Sequence, residues 1–230
     1  MSRSRALGWI ASLVAASAIV LAGPASACEG PKEAREVDRA AIEAFVQGRR
    51  VLSFAGYSGA GYEHPEIMLE RATDFLKSED PARTLVNAGG TAEGIGAVYE
   101  AAKRMGFTTM GVVSTLARDE SVPLSKCADH VFFVQDATWG GRSPDTGELS
   151  PTSEAIVSVS ALMVGIGGGD IARDEMLAAK ERGKPVIFIP ADMNHAVARA
   201  KAAKRGDPEL TEFKGSAHKA FATQRRGPTQ

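Results

Sequence analysis

Three segments of this chain set several glycines directly behind a short apolar run: Gly56-Tyr57-Ser58-Gly59-Ala60-Gly61, then residues 89–96 with Gly89, Gly90, Thr91, Gly94 and Gly96, then residues 165–170 with Gly165, Gly167, Gly168, Gly169 and Asp170. Glycine lets a backbone amide approach an anion because no Cβ intervenes. The first turn of a following helix adds N–H groups without intrahelical partners and the positive end of the helix dipole. One exposed helix end contributes about 0.3–1 kcal/mol per charge, so firm phosphate binding requires two or three such turns to converge. Any one of these segments is equally a tight strand-to-helix turn, and for residues 56–61 that is the preferred reading. Three in one chain point to a phosphate or nucleotide cradle. The ligand-contacting residues so named are Gly56, Tyr57, Ser58, Gly89, Gly90, Thr91, Gly96, Gly167, Gly168 and Gly169. Thr91 is the first hydroxyl behind a glycine pair, while Tyr57 and Ser58 offer a ring and a hydroxyl against a plainer role in turn packing.

The elements that would position these turns follow from periodicity. Near-continuous apolar runs at residues 51–55, 84–88, 109–113, 130–134, 161–164 and 185–189 read as strands buried on both faces. Helical spacing lies between several of them, at residues 65–77, 95–105, 171–182 and 195–205, with Gly106 and Gly183 where helices should stop. Alternating strands and helices predict an α/β fold, a doubly wound parallel sheet with helices on both faces, in which turns after the strands share the carboxyl edge where ligands bind. Residues 28–49 carry Val37, Ala41, Ala44 and Phe45 at helical spacing and read as an amphipathic opening helix; residues 50–205 form the binding domain. Residues 206–230 read as a polar tail, frayed from 224 onward. Residues 136–153, with Gly140, Gly141, Pro144, Gly147 and Pro151, form a long loop, either a binding loop or a tolerated insertion.

Residues 1–27 are excluded from that fold. Arg3 and Arg5, an apolar stretch and the ending Pro24-Ala25-Ser26-Ala27 have the order of a secretory signal, and the apolar run is shorter than the roughly 20 residues that cross a bilayer. The expectation is an exported protein, periplasmic or secreted. Cys28 directly behind the cut leaves open a lipoprotein anchored through that residue, the only membrane attachment the sequence suggests. Of 27 Lys+Arg and 28 Asp+Glu, Arg3 and Arg5 leave with the signal, so the mature chain is slightly acidic and has no bulk charge for nucleic acid. Export would let Cys28 and Cys127 pair, with a free or lipidated Cys28 and a packed Cys127 as the alternative. His64, His130, His195 and His218 show no metal-ligand spacing, and no metal is assigned.

The order Val51-Leu52-Ser53-Phe54-Ala55-Gly56, Leu85-Val86-Asn87-Ala88-Gly89-Gly90 with Gly96, Gly111-Val112-Val113, Gly167-Gly168-Gly169 with Glu175, and Lys184-Pro185-Val186 resembles the SLOG superfamily over residues 50–192. That group includes lonely-guy-type phosphoribohydrolases, proteins labelled lysine decarboxylases, and molybdenum-cofactor carrier proteins. The resemblance implies a Rossmann-like fold and a phosphorylated small-molecule partner, a nucleotide or the molybdenum cofactor, with no cofactor required and a homo-oligomer left open. Enzymatic relatives carry Pro-Gly-Gly-x-Gly-Thr-x-x-Glu. Here Gly167 stands for the proline, Gly168 and Gly169 for the glycine pair, Ile171 for the third glycine, Ala172 for the threonine and Glu175 for the acid; a one-residue shift would offer Asp174 instead. Glu93 stands where the relatives have glycine. The resemblance implies catalytic roles for Glu175, at a cationic sugar or an attacking water, and for Arg173 or Arg142 at the phosphate or ribose, against a plain solvated-helix role for Glu175 and Arg173. The departures at Ile171 and Ala172 place binding or carriage ahead of N-glycosidic hydrolysis, with a ligand-free scaffold as a third reading.

Overall fold

The computed structural model describes residues 28–222; the predicted signal, residues 1–27, and the last eight residues lie outside the described residues. Strands β1 (Glu33–Glu36), β2 (Arg50–Gly56), β3 (Thr84–Asn87), β4 (Thr108–Ser114), β5 (His130–Val134), β6 (Leu162–Ile166) and β7 (Val186–Ile189) form one sheet in the order β1-β5-β4-β3-β2-β6-β7. Every adjacent pair is parallel. The helices are α1 (Arg39–Val46), α2 (Pro65–Lys77), α3 (Val98–Arg104), α4 (Leu116–Asp119), α5 (Pro151–Val159), α6 (Asp170–Glu181), α7 (His195–Arg205) and α8 (Ser216–Phe221).

Successive strand residues alternate between two cores, as the period of two requires. Leu52 and Phe54 of β2 join Val86, Val131, Val164 and Ile166 under α2 and α3, which contribute Met68, Ala72, Leu76, Val98, Ala101 and Ala102. Val51 and Ala55 face the other way, joining Leu85, Val112, Phe132 and Met163 under α1, α5, α6 and α8 through Ile42, Ile156, Met176 and Phe221. Helices therefore cover both faces, and the sheet is the doubly wound Rossmann-like α/β fold. From β2 the chain builds outward through β3, β4 and β5, then returns so that β6 pairs with the opposite side of β2. The reversal of strand order thus falls at β2 and β6, where a crevice opens beyond the strand ends.

Three segments differ from the sequence expectation. Residues 28–49 are not one helix: β1 precedes an α1 whose N-cap Asp38 accepts a 2.8 Å hydrogen bond from the Ala41 amide. The β1 sequence Glu-Ala-Arg-Glu has no apolar alternation, and what holds it is main-chain pairing to β5 together with the Cys28–Cys127 disulfide and the Gly30 amide donating to the Lys126 carbonyl. Residues 151–153 are the first turn of α5, with Pro151 in that turn and Ser150 as N-cap accepting from the Ser153 amide. Residues 206–222 are no polar tail: Phe213, Ala217 and Phe221 are buried, and α8 packs on α6.

Candidate functional site

The turns behind β2, β3 and β4 and the start of α6 behind β6 enclose a cleft of about 620 Å³ at the strand-order reversal. Its lining includes Gly56, Tyr57, Ser58, Gly59 and Ala60 behind β2, Asn87, Gly89 and Thr91 behind β3, Ser114 at the end of β4, and Gly169, Asp170, Ile171 and Ala172 at the start of α6. Val122, Pro123 and Leu124 close one side; Trp139 and Thr152 come from the loop before α5 and from α5 itself, and Lys201 reaches in from α7.

The anion-binding potential lies at α6. Gly169 is its N-cap and contributes no side-chain cap, so the amides of Asp170, Ile171 and Ala172 have no intrahelical acceptor. A Cβ at Gly169 would meet open space, which places that glycine at the void rather than in packing. Lys201 brings a positive charge, its Nζ donating to the Gly59 carbonyl at 2.9 Å. Glu93 is exposed beside Gly59, with its carboxylate and the Lys201 ammonium both within 4 Å of where a Gly59 Cβ would stand; it is not on the cleft lining.

Six of the ten glycine-turn residues named from the sequence line the cleft: Gly56, Tyr57, Ser58, Gly89, Thr91 and Gly169. Gly90, Gly96, Gly167 and Gly168 do not, and each is required by packing. The Gly90 amide donates to the Tyr99 hydroxyl at 2.9 Å, its carbonyl accepts from Ser125, and its φ of 71° suits glycine. A Cβ on Gly96 would strike the Thr91 carbonyl. At Gly167 it would come 2.5 Å from the Tyr57 ring, and at Gly168 2.6 Å from the Ala172 Cβ. Tyr57 itself is as much a strut as a lining residue: its hydroxyl donates to the Ala191 carbonyl and accepts from the Gly215 amide at 2.7 Å, tying the segment before α8 to the β2 turn.

Of the three residues named for catalysis, Glu175 lies on the lining and Arg173 and Arg142 do not. Glu175 is buried, and its Oε1 accepts a 2.7 Å hydrogen bond from the Ser153 hydroxyl. Burial raises its carboxyl to about 7; the Ser153 bond opposes that rise and the neighbouring Asp174 charge adds to it. The Asp174 carboxylate faces away from the cleft, accepting from the Arg142 amide at 2.9 Å and from the Arg173 guanidinium. Arg173 also bridges Asp170, and the Arg142 guanidinium is taken up by Glu181 and the Gly147 carbonyl. Neither arginine presents its guanidinium to the cleft. His64 and His195 lie off the lining as well, His195 stacking on Phe213 at 3.9 Å.

Asn87, Thr152, Trp139 and Lys201 are lining residues that sequence reasoning passed over. Asn87 carried a signal, a polar side chain ending an apolar strand just before a glycine pair; its amide nitrogen donates to Ser53 and its carbonyl accepts from Gly89. Trp139 stood out only as a tryptophan inside a glycine- and proline-rich loop. Among the described residues no group of three or more His, Cys, Asp or Glu side chains is placed to hold a metal ion, and no helix is long and apolar enough to cross a membrane.

Sheet order and cleft together define a Rossmann-like α/β protein with a crevice at its switch point. No protein-family model and no curated protein sequence matches the chain. Similar solved structures include TM1055, 23% identical over 60% of this chain and 72% of that one with a TM-score of 0.44. They also include the Moco carrier protein of Chlamydomonas reinhardtii, 18% identical over 69% and 96% with a TM-score of 0.43. A third is the molybdenum cofactor binding protein of the phototrophic bacterium Rippkaea orientalis, 14% identical over 79% and 99% with a TM-score of 0.47. The fold assignment rests on the sheet order and its two helical layers.

Proposed function

We propose that this protein binds a small phosphorylated organic ligand in the switch-point cleft and acts as its carrier or sensor, with the phosphate at the uncapped start of α6. The observation that carries this reading is the placement of Gly169 and the free first-turn amides of α6 on the wall of a cavity of about 620 Å³. That volume lies within the roughly 300–1,000 Å³ of small-molecule sites. A nucleotide suits the cleft; the molybdenum cofactor, carried by one of the named neighbours and bound by another, is the other candidate ligand. Isothermal titration calorimetry with nucleoside monophosphates, alongside mass spectrometry of small molecules that copurify with the natively produced protein, tests the reading. Binding of none of these phosphorylated compounds, with nothing phosphorylated copurifying, would overturn it.

Hydrolysis of the N-glycosidic bond of a nucleoside monophosphate is the second reading, favoured by one observation: a buried carboxyl on the cleft wall, Glu175, poised near neutrality. In that chemistry water adds to the anomeric carbon, the carbon–nitrogen bond breaks and the base departs with a proton. Glu175 would orient the water or stabilise the cationic sugar.

Export to the periplasm or exterior is part of the proposal. The Cys28–Cys127 disulfide supports an oxidising compartment, and it occupies the sulfur that a lipid thioether would need, so cleavage without lipidation is the preferred processing.

A further inference from the structure

Six large hydrophobic side chains are exposed among the described residues, and three of them, Trp139, Val122 and Ile171, line this one cleft. Trp139 is 46% exposed, whereas the other aromatic side chains on the lining, Phe54 and Tyr57, are buried in the core. An indole left in water contributes little to folding and costs apolar hydration, so its position calls for a partner.

The loop that carries Trp139 is clamped on both sides of it. The Asp136 carboxylate accepts from the amide and hydroxyl of Thr138, each at 2.8 Å, and from the Thr152 amide at 3.0 Å. Beyond the tryptophan, the Gly141 amide donates to the Ser153 hydroxyl at 2.8 Å and the Arg142 amide to Asp174 at 2.9 Å. A Cβ at Gly140 would stand 3.1 Å from Ile171 Cγ2, so the loop lies directly on the first turn of α6. An aromatic side chain on a loop fixed in this way is ordered before a ligand arrives, which lowers the entropy lost on binding. The cleft therefore joins an anion-binding helix start to an apolar, aromatic-sided rim.

We infer that Trp139 is the stacking platform for a planar nitrogen heterocycle in the phosphorylated ligand, with Ile171 and Val122 flanking the ring. The inference rests on the binding function proposed above and narrows the ligand from any phosphate compound to one that couples a phosphate to a flat heterocycle. Stacking of a base on an aromatic side chain is sequence-tolerant because every base has a π face, so Trp139 selects for the ring and not for one base.

The test is calorimetric titration of the wild type, Trp139→Ala and Trp139→Phe with adenosine monophosphate, flavin mononucleotide and ribose 5-phosphate. The wild type should bind one of the first two at least about 10-fold more tightly than ribose 5-phosphate, the lower range for a stacked base. Trp139→Ala should remove that advantage and leave ribose 5-phosphate affinity unchanged; Trp139→Phe should retain part of it. Equal affinity of the wild type for ribose 5-phosphate and the heterocyclic ligands, or an advantage that survives in Trp139→Ala, overturns the stacking role while the phosphate-binding reading stands. Failure of the wild type to bind any of the three overturns the stacking role, and the binding reading falls with it only if nothing phosphorylated copurifies. The loop is exposed at this position, and thermal melting of each variant checks that the fold is intact.

Discussion

The Ser153 hydroxyl, in the first turn of α5, donates a 2.7 Å hydrogen bond to Glu175 on α6, a buried carboxyl that lines the cleft. The same hydroxyl accepts the Gly141 amide, so one side chain links α5, α6 and the loop that carries Trp139. Burial raises the Glu175 carboxyl to about 7 from an ordinary value near 4.5. The folded protein therefore holds this proton in a pH range where the unfolded chain has lost it. The contribution is fully present below the unfolded value and lost as the pH rises from about 4.5 through 7. Above that range the folded state carries a buried charge at a cost of up to about 3 kcal/mol. Glu175→Gln keeps an acceptor for Ser153 and should be more stable than the wild type at pH 8, with the difference shrinking toward pH 5. Chemical denaturation at several pH values measures it, and a pH-independent difference would contradict the buried carboxyl.

The disulfide joins residues separated by 99 positions and fixes the start of β1 at the sheet edge. Closing a loop of that length is worth about 4.7 kcal/mol by unfolded-chain entropy. Cys127→Ser, or reduction of the wild type, should lower the denaturation midpoint accordingly and loosen β1 ahead of the inner strands. Hydrogen exchange resolved by segment would show this as lost protection confined to residues 30–37, and uniform loss across the sheet would argue against an edge anchor.

Most of the sheet was legible because six strands are apolar runs, although β7, read as buried on both faces, is an edge strand with Ile187 exposed, and α2 and α7 begin and end where their periodicity does. What escaped was held by interactions without a periodic signature. β1 has no buried side chain and exists through backbone pairing and a disulfide. α8 lies in a polar stretch but drops Ala217 and Phe221 against α6. At the site, glycine marked where the backbone turns without saying whether a Cβ would meet ligand space or protein. Gly168 and Gly169 are adjacent and indistinguishable in sequence, yet one is packed and the other faces the void.

That difference is testable. Gly168 has a φ of 120° and a Cβ there would come within 2.6 Å of Ala172, so Gly168→Val should destabilise the fold by at least about 2 kcal/mol. Gly169 has a φ of −87° and open space, so Gly169→Val should cost about 1 kcal/mol as a poorer N-cap. The valine would nonetheless stand over the α6 amides and should weaken binding of a nucleoside monophosphate by 10-fold or more, roughly the loss of one charge-assisted hydrogen bond. Thermal melting and calorimetry on both variants separate the effects. A folded Gly169→Val protein with undiminished affinity would remove the start of α6 from the phosphate site.

The choice between carriage and hydrolysis rests on what accompanies Glu175. Ile171 and Ala172 stand in the first turn of α6 on the cleft lining, so that turn offers amides but no hydroxyl, and Ile171 narrows the approach. Arg173 and Arg142 are engaged with Asp170, Asp174 and Glu181 outside the cleft, leaving Lys201 as the cation on the lining. A carboxyl raised to about 7 has the proton affinity that acid–base catalysis favours, but a buried acid bonded to Ser153 is held toward α5, and no arginine completes the charge pattern. The expected outcome is therefore binding of nucleoside monophosphates with release of free base slow or absent, followed chromatographically over a panel of them. Proton transfer by a positioned side chain contributes roughly 100- to 10,000-fold, so turnover that depends on Glu175 would collapse in Glu175→Gln while affinity changed little. Robust base release by the wild type, lost in that variant, would establish hydrolysis and replace the carrier reading.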